Sequence, residues 1–261
     1  MVMRVFIEGI GVLGPGLEGW PEARAILAAI THYEPRPFRP PPPTLLPPAE
    51  RRRAGTTVKL AIAVGTEALA HAQRDPAEMA MVFAASGGDG ETVHETLSVL
   101  ATAQREVSPT RFHNSVHNAP SGYWSVATGS RAPSTSLSAF DDSFATGMLE
   151  AAVQATMQNC PITLIAYDVP YPEPLHAARP IISAFAMALV LAPHRSERGL
   201  ASLTLAITDA AAPATGMTDL ELERLRLGNP AARALPLLAA IARGDAGTVR
   251  LGSLDIEVAP S

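Results

Sequence analysis

Residues 131–157 read RAPSTSLSAFDDSFATGMLEAAVQATM, and this stretch decides the fold that the sequence predicts. Its first part, Ser134–Ala139, is a short alternating segment of the kind that forms a strand. A tight corner, Phe140-Asp141-Asp142-Ser143, follows, and Asp142 or Ser143 is suited to cap a helix. Beyond the corner, apolar residues recur at the three-and-four spacing of an amphipathic helix: they are Phe144, Met148, Ala151, Ala152 and Ala155. The stretch therefore predicts a strand, a sharp corner and a helix start.

A corner of this kind is where enzymes of several classes hold a nucleophile. A helix start offers unpaired N–H groups and partial positive charge, which stabilise a developing anion. One hypothesis makes Ser143 the nucleophile of acyl transfer or hydrolysis, with His113 or His117 as base. Asp141 or Asp142 would then orient the base. However, Ser143-Phe-Ala-Thr-Gly does not match the G-x-S-x-G elbow, and serine is a common cap, so a purely structural turn is the alternative.

Composition excludes several classes of protein. The chain has 261 residues, of which 47% are apolar and 17% charged, so it can bury a large core. A net charge of −5 predicts no nucleic-acid-binding surface. The lone cysteine, Cys160, excludes an intrachain disulfide and indicates a reducing compartment. No signal-peptide pattern begins the sequence, and no apolar run approaches the ~20 residues of a membrane span. We expect a cytoplasmic protein with no membrane span.

Strand and helix patterns alternate over residues 1–192, which predicts a layered α/β architecture with a mostly parallel, buried sheet. The predicted strands are Val2–Ile10, Met79–Ala85, Ser134–Ala139, Ile162–Ala166 and Ser183–Ala192, and the last forms a pair with Leu200–Ile207. Helical spacing begins near Pro21, runs from Val58 to Leu69 and covers Glu91–Gln104 and Asn118–Thr128. Towards the C-terminus, Asp219–Leu227 and Ala231–Ala242 are predicted helices and Thr248–Val258 a single strand.

Three motifs allow a functional and a structural interpretation. Gly9–Gly14 matches G-x-G-x-x-G, which is typical of a dinucleotide-binding turn but also of a glycine-rich bend after a first strand. His113 and His117 are four residues apart and could form a metal pair, yet no third ligand has a useful spacing. Pro35–Pro48 holds eight prolines and is predicted to be a surface loop, and the basic triplet Arg51–Arg53 follows it. We predict no cofactor and no metal.

Several of these segments together resemble the N-terminal half of β-ketoacyl synthases of the thiolase fold. The matching pieces are VFIEGIGVLGPG at the first strand, MVFAASGGDG at the second, and NAPSGYWSVATGSRAPSTSLSAFDDSFATG around the corner, followed by ITLIAYD and ISAFAMALVLAP. The likeness covers roughly residues 3–207. It implies a ketosynthase N-terminal-like thiolase-fold domain over residues 1–207. Residues 208–261 would form a short extension in place of the family's second half, and we recognise no family counterpart for them.

The departures from the family's pattern indicate a role without condensing activity. Such synthases carry a cysteine at a position matching Phe140–Ser143, and this sequence has none there. The family's two histidines belong to its C-terminal half, whereas no histidine follows residue 207 here. The pattern resembles a chain-length factor, the non-condensing partner of a type II ketosynthase. It is most similar to the short factors associated with bacterial aryl polyene pathways.

This resemblance implies a heterodimer with a β-ketoacyl-ACP synthase, and contact with acyl carrier protein through that complex. In the family, dimers form through the helix and strand that correspond to Asn118–Ala139. The candidate tunnel or interface residues are Phe112, Val116, Tyr123 and Trp124. Such residues would close the partner's acyl tunnel or serve only as interface packing. A stand-alone acyl-binding protein is a further alternative.

Overall fold

The computed structural model describes residues 2–208 and 213–261, and in them a single sheet of nine strands forms the centre of the molecule. The strands are β1 (Val2–Gly14), β2 (Leu17–Glu18), β3 (Ala80–Ala84), β4 (Ser134–Leu137), β5 (Ile162–Asp168), β6 (Phe185–Ala192), β7 (Ala201–Ile207), β8 (Gly247–Leu251) and β9 (Leu254–Pro260). The strands β3, β5 and β6 are buried along their whole length, as expected for a sheet covered on both faces.

Helices cover both faces of this sheet. They are α1 (Trp20–Leu27), α2 (Pro48–Arg53), α3 (Thr56–His71), α4 (Gly90–Leu100), α5 (Pro109–Asn114), α6 (Ala119–Thr128), α7 (Ser143–Gln158), α8 (Leu175–Ala178), α9 (Leu220–Gly228) and α10 (Leu235–Arg243). The helices α1, α7 and α10 share one apolar cluster with one face, and α3 and α6 share a second cluster with the other. The layered α/β prediction is confirmed.

The order of strands is β4-β3-β5-β6-β1-β7-β9-β8, with β2 paired to β1. Within the first five, β4, β3 and β5 pair in parallel, and β6 pairs antiparallel to both β5 and β1. Four of these five strands therefore run in one direction, as the sequence predicted, and β6 alone is reversed. The strands β7, β9 and β8 then extend the sheet by antiparallel pairing only.

The predicted pair of β6 with β7 is wrong, because β1 lies between them. β6 pairs with the second half of β1, and β7 pairs with the first half on the opposite edge. The segment that connects β6 to β7 passes β1 next to a bulge at Glu8. The buried Glu8 carboxylate accepts hydrogen bonds there from Arg74 Nη2 at 2.7 Å and Ser196 Oγ at 2.5 Å. A buried charge needs such partners, so this cluster fixes the crossover.

The glycines of the G-x-G-x-x-G motif lie inside β1, not in a turn after it. A side chain at Gly9 would collide with the backbone oxygen of Ala68, and one at Gly11 with that of Val64. Both of these oxygens belong to α3. The glycines therefore let α3 pack directly against the sheet, so neither the dinucleotide turn nor the glycine-rich bend is correct.

The predicted single strand Thr248–Val258 is also wrong, since it is a hairpin of β8 and β9. Gly252, in the two-residue turn, has a φ of +58°, a conformation that glycine adopts without strain. The hairpin joins the edge of β7, and α10 packs in the same apolar cluster as α1 and α7. The C-terminal residues thus complete one face of the core.

Candidate functional site

The carboxyl ends of the three parallel strands β3, β4 and β5 lie side by side at one end of the sheet. β3 ends at Ala84, β4 at Leu137 and β5 at Asp168, and each strand is followed by an irregular segment. In open α/β sheets, ligands and reacting groups gather outside the carboxyl ends of the strands. The corner that the sequence singled out lies here, between β4 and α7.

Phe140 occupies the sharpest point of the corner. Its φ is +52°, the left-handed region that bulky residues rarely adopt. The residue is 63% exposed, and its ring lies under the Arg179 guanidinium, whose carbon is 3.7 Å from the ring centre. A strained corner with an outward side chain is the geometry in which a nucleophile elbow presents its reactive group. Here the outward group is an aromatic ring.

The corner carboxylates are held by two arginines. Asp141 accepts hydrogen bonds from Arg179 Nη2 at 2.5 Å and from Arg233 Nη2 at 2.9 Å, and Asp142 lies 3.4 Å from Arg233 Nη1. Arg179 directly follows α8, and Arg233 lies in a short 3₁₀ turn before α10. Asp142 is the N-cap residue of α7, which confirms one of the two predicted positions, but its side chain makes no cap hydrogen bond. Both carboxylate oxygens of Asp141 are therefore occupied by ion pairs with arginine.

Ser143 is the first residue of α7, and its side chain is used within the turn itself. The hydroxyl donates to the backbone oxygen of Phe140 at 2.7 Å and accepts from the backbone N–H of Ala139 at 2.9 Å. The residue is only 1% exposed. No histidine hydrogen-bonds to Ser143 in the part of the chain that the structure describes. The arrangement therefore supplies no base for a serine nucleophile.

The two candidate histidines do not share a helix face. His113 is exposed in α5, which ends at Asn114, and His117 lies in the turn before α6. His117 Nε2 is 3.3 Å from the backbone oxygen of Ala85, beyond the end of β3. Over residues 2–208 and 213–261, no three metal-binding side chains come together. Although they are four residues apart in sequence, His113 and His117 are therefore not arranged as a pair of metal ligands.

A buried pair, Asp168 with Ser86, also lies at the carboxyl ends of the strands and was not predicted from the sequence. Asp168 Oδ1 accepts from the Ser86 backbone N–H at 2.9 Å and from its Oγ at 2.6 Å, whereas Oδ2 is buried without a partner. Burial raises the pKa of Asp168 to about 7, although the Ser86 hydrogen bonds and the charge of Arg179 oppose this shift. An acid two residues after the apolar run of Ile162–Ala166 was the available signal.

The tunnel or interface candidates divide into two kinds. Phe112 is 67% and Val116 47% exposed. Tyr123 and Trp124 are buried in the cluster between α3 and α6, and Tyr123 donates its hydroxyl proton to Asn114 Oδ1 at 3.1 Å. Tyr123 and Trp124 therefore offer no surface to a partner, and the exposed candidates are Phe112 and Val116.

Cys160 is half-buried beyond the C-terminal end of α7, and the corner is at the other end of that helix. A helix of 16 residues is roughly 24 Å long. The thiol therefore lies too far from the corner to act there.

The protein-family model of the β-ketoacyl synthase N-terminal domain matches residues 27–243, which is most of the sequence. This chain belongs to the β-ketoacyl synthase N-terminal domain family. The match continues past residue 207, where the resemblance recognised from the sequence ended, and takes in α9 and α10. No curated protein matches the chain in sequence.

Solved ketosynthase structures have the same fold. A chain of the complex of the ketosynthase ApeO with its chain length factor ApeC from Xenorhabdus doucetiae superposes with a TM-score of 0.72 at 23% identity, over 98% of this chain and 99% of that chain. For the ishigamide ketosynthase/chain length factor the TM-score is 0.68 at 15% identity, over 98% of both chains. A chain of the complex AntDE:AntF, a type II PKS acyl-carrier protein with its ketosynthase, gives a TM-score of 0.62 at 14% identity, over 80% of this chain and 70% of that chain. The predicted thiolase-like fold is confirmed over nearly the whole chain.

Two features are absent from the residues that the structure describes. No helix among residues 2–208 and 213–261 is both long and apolar enough to cross a bilayer. The aromatic ring, the paired carboxylates and the occupied serine leave the corner without a free nucleophile in the part of the chain that the structure describes.

Proposed function

We propose that this chain is a non-condensing, chain-length-factor-like subunit that pairs with a β-ketoacyl-ACP synthase in type II polyketide or fatty-acid biosynthesis of the aryl polyene type. The observation that carries the proposal is the corner, where Phe140 takes the outward position and Ser143 is hydrogen-bonded within the turn. Acyl transfer to a synthase needs an ionisable thiol at a helix start. A ring stacked on arginine provides none. The subunit would work in the cytoplasm and meet acyl carrier protein through the complex.

The free edge of β4 supports a pairing surface. β4 is the last strand of the sheet on this side. The oxygens of Pro133 and Leu137 accept from β3, so the N–H and C=O groups of Ser134 and Ser136 point away from β3. Such an edge is a template for a strand of another chain. Pairing there would join two sheets into one continuous layer.

Exposed apolar side chains on α6 and in the segment before it fit the same role. Val126 on α6 is 53% exposed, and α6 packs against β4. Phe112 and Val116 precede α6 on the chain and are exposed as well. Exposed apolar groups next to a strand edge are typical of a surface that a partner covers. Bulky residues among them would close the far end of the partner's acyl tunnel and so limit product length.

The C-terminal residues would substitute for the second half of a full synthase. Arg233 bonds to the corner acids, and α10 covers the face of the sheet that carries α7. We propose that residues 208–261 complete the core in this way, while residues 1–207 form the ketosynthase-like domain.

The test is co-expression of this chain with the ketosynthase encoded nearest to it. A one-to-one complex is expected by native mass measurement, and it should condense malonyl units on acyl carrier protein, whereas this chain alone should not. Val116→Trp should shorten the product of an intact complex, and Leu220→Trp, at an exposed position on α9, is the control. A chain that condenses alone, or that stays monomeric with every ketosynthase offered, would contradict the proposal.

A further inference from the structure

A cavity of about 580 Å³ lies beside β1, just beyond the point where its pairing with β7 ends. The last residue of β1 that pairs with β7 is Ile7, whereas β1 runs on to Gly14. The edge of β1 beyond Ile7 therefore faces a gap between α1, α3 and α10. Its lining residues are Ile10, Trp20, Pro21, Arg24, Glu67, His71, Leu200 and Ile241. Ligand sites commonly have volumes of about 300–1,000 Å³, so the gap has the size of a small-molecule site.

Side chains of α3 take up the hydrogen-bonding groups of this open strand edge. Glu67 Oε2 accepts from the backbone N–H of Val12 at 3.0 Å, and Oε1 accepts from that of Trp20 at 2.5 Å. The backbone N–H of Ile10 donates to His71 Nδ1 at 3.4 Å. Both carboxylate oxygens are thus occupied, and burial raises the pKa of Glu67, although its two backbone hydrogen bonds oppose this shift.

The unused polar groups of the cavity are donors. Because His71 Nδ1 accepts a hydrogen bond, the neutral ring carries its proton on Nε2, which is free to donate. Arg24 makes no ion pair or hydrogen bond through its side chain to any residue that the structure describes, and it is exposed. A ligand that completes this site must therefore bring acceptor atoms, and a negative charge suits Arg24 best.

The remaining walls are apolar. Trp20, Leu200 and Ile241 line the cavity beside Ile10, and three of these four side chains are buried in the core. Apolar walls with a few convergent polar groups are the usual make-up of a small-molecule site. The strands β3, β5 and β6 lie between β1, which lines this cavity, and β4, which leads into the corner.

We propose that this cavity binds a small carboxylic acid, with its carboxylate at Arg24 and His71 and its apolar body against Trp20, Leu200 and Ile241. The site lies beside β1, separated by three strands from the β4 edge that is proposed to pair with a ketosynthase.

The full-length chain can be tested with octanoate and octan-1-ol, which share an apolar tail and differ in the head group. Each is titrated by calorimetry. Octanoate is expected to bind more tightly than octan-1-ol, and Arg24→Gln should weaken octanoate binding by about tenfold, the effect of losing a charge-assisted hydrogen bond. Binding of octan-1-ol should change less than twofold. Arg52→Gln, a substitution in α2 outside the cavity, is the matched control and should change neither.

Leu200→Trp fills the cavity and should weaken both ligands, with circular dichroism confirming that the variant is folded. The proposal is overturned if octanoate binds no better than octan-1-ol. It is equally overturned if Arg24→Gln behaves like Arg52→Gln, or if folded Leu200→Trp binds octanoate as the parent chain does. No ketosynthase is present in these titrations, so their failure leaves the proposed pairing function untouched.

Discussion

Phe140 combines a bulky side chain with a left-handed backbone, and its neighbours must offset the strain. A non-glycine residue in this region costs roughly 1–2 kcal/mol. The stack on Arg179, the ion pairs of Asp141 and the bonds of Ser143 all hold the same short turn. The corner is therefore stabilised by side chains brought from three separate parts of the chain.

Two substitutions at Phe140 separate the backbone strain from the loss of the ring. Phe140→Asn and Phe140→Val both remove the stack on Arg179, but asparagine tolerates the left-handed region and β-branched valine does not. We expect Phe140→Val to be less stable than Phe140→Asn by about 1–2 kcal/mol. Urea denaturation measures this difference. Equal stability of the two variants would show that the corner residue relaxes to an ordinary conformation.

Asp168 makes stability depend on pH in a direction opposite to most carboxyl groups. Its pKa is about 7 in the folded chain and 3.8 ordinarily, so the folded state holds the proton more tightly. Stability is therefore lost as the pH rises from about 4 to about 7. Asp168→Asn keeps an acceptor for Ser86 and removes the ionisation. Relative to that of the parent chain, the free energy of unfolding of the variant should rise by up to about 4 kcal/mol between pH 4 and pH 8.

Denaturation of both proteins across this pH range checks the expectation. Asp75→Asn, at an exposed carboxyl in the turn before β3, is the control and should track the parent chain. If the difference between Asp168→Asn and the parent is the same at pH 4 and pH 8, Asp168 does not carry a raised pKa.

The contacts at this scale were the hardest to predict. Sequence spacing located the corner and its residues, because strand, turn and helix are adjacent in the chain. It did not reveal that Asp141 pairs with Arg179 and Arg233, since these arginines lie 38 and 92 residues away. The same holds for Ser86 with Asp168, 82 residues apart. Only the folded sheet brings them together.

Among the elements, the edge strand β4 carries the clearest consequence. The backbone N–H of Ser136 points away from β3, and that of Thr135 points towards it. Proline removes an N–H and is accepted on the free side of an edge strand. Ser136→Pro should therefore abolish pairing with a ketosynthase while the chain still folds. Thr135→Pro should instead break the ladder with β3 and lower stability by about 3 kcal/mol or more.

Complex formation by native mass measurement and folding by circular dichroism distinguish the two variants. A Ser136→Pro chain that still binds the ketosynthase at full affinity would remove the β4 edge from the proposed interface.

Elements with strong local patterns were predicted well, and those set by distant contacts were not. Helices α3, α6 and α7 follow directly from apolar spacing, and Gly129 ends α6 in a left-handed conformation, as expected of a stop signal. The neighbours β6 and β7 were predicted as a pair because nothing local reveals that β1 enters between them. The hairpin of β8 and β9 has a local signal in the sequence, Gly252-Ser253 between two alternating segments.

We expect the whole molecule to unfold as one unit, although the sequence suggested a boundary near residue 207. Leu203 of β7 and Leu238 of α10 lie on either side of that boundary and are both fully buried in one cluster. Leu203→Ala and Leu238→Ala should each cost about 2–5 kcal/mol of unfolding free energy. Leu220→Ala, at an 83% exposed position, should cost less than about 0.5 kcal/mol.

Both core variants should unfold in a single transition. Trp20 and Trp124 are convenient probes because they lie on opposite faces of the sheet. Their fluorescence and the circular dichroism should change at the same denaturant concentration. Two separate transitions would contradict a single unit and favour independent regions on either side of residue 207.

The position of β1 has a consequence for how the chain is made in the cell. β1 is translated before both strands that flank it, and β6 and β7 follow it by roughly 170 residues or more. At the usual pace of translation this delay is on the order of 10 to 30 s. During that time a long apolar strand has neither neighbour in place. The nascent chain is therefore a natural client for chaperones, and faster translation of the middle region should improve the yield of folded protein.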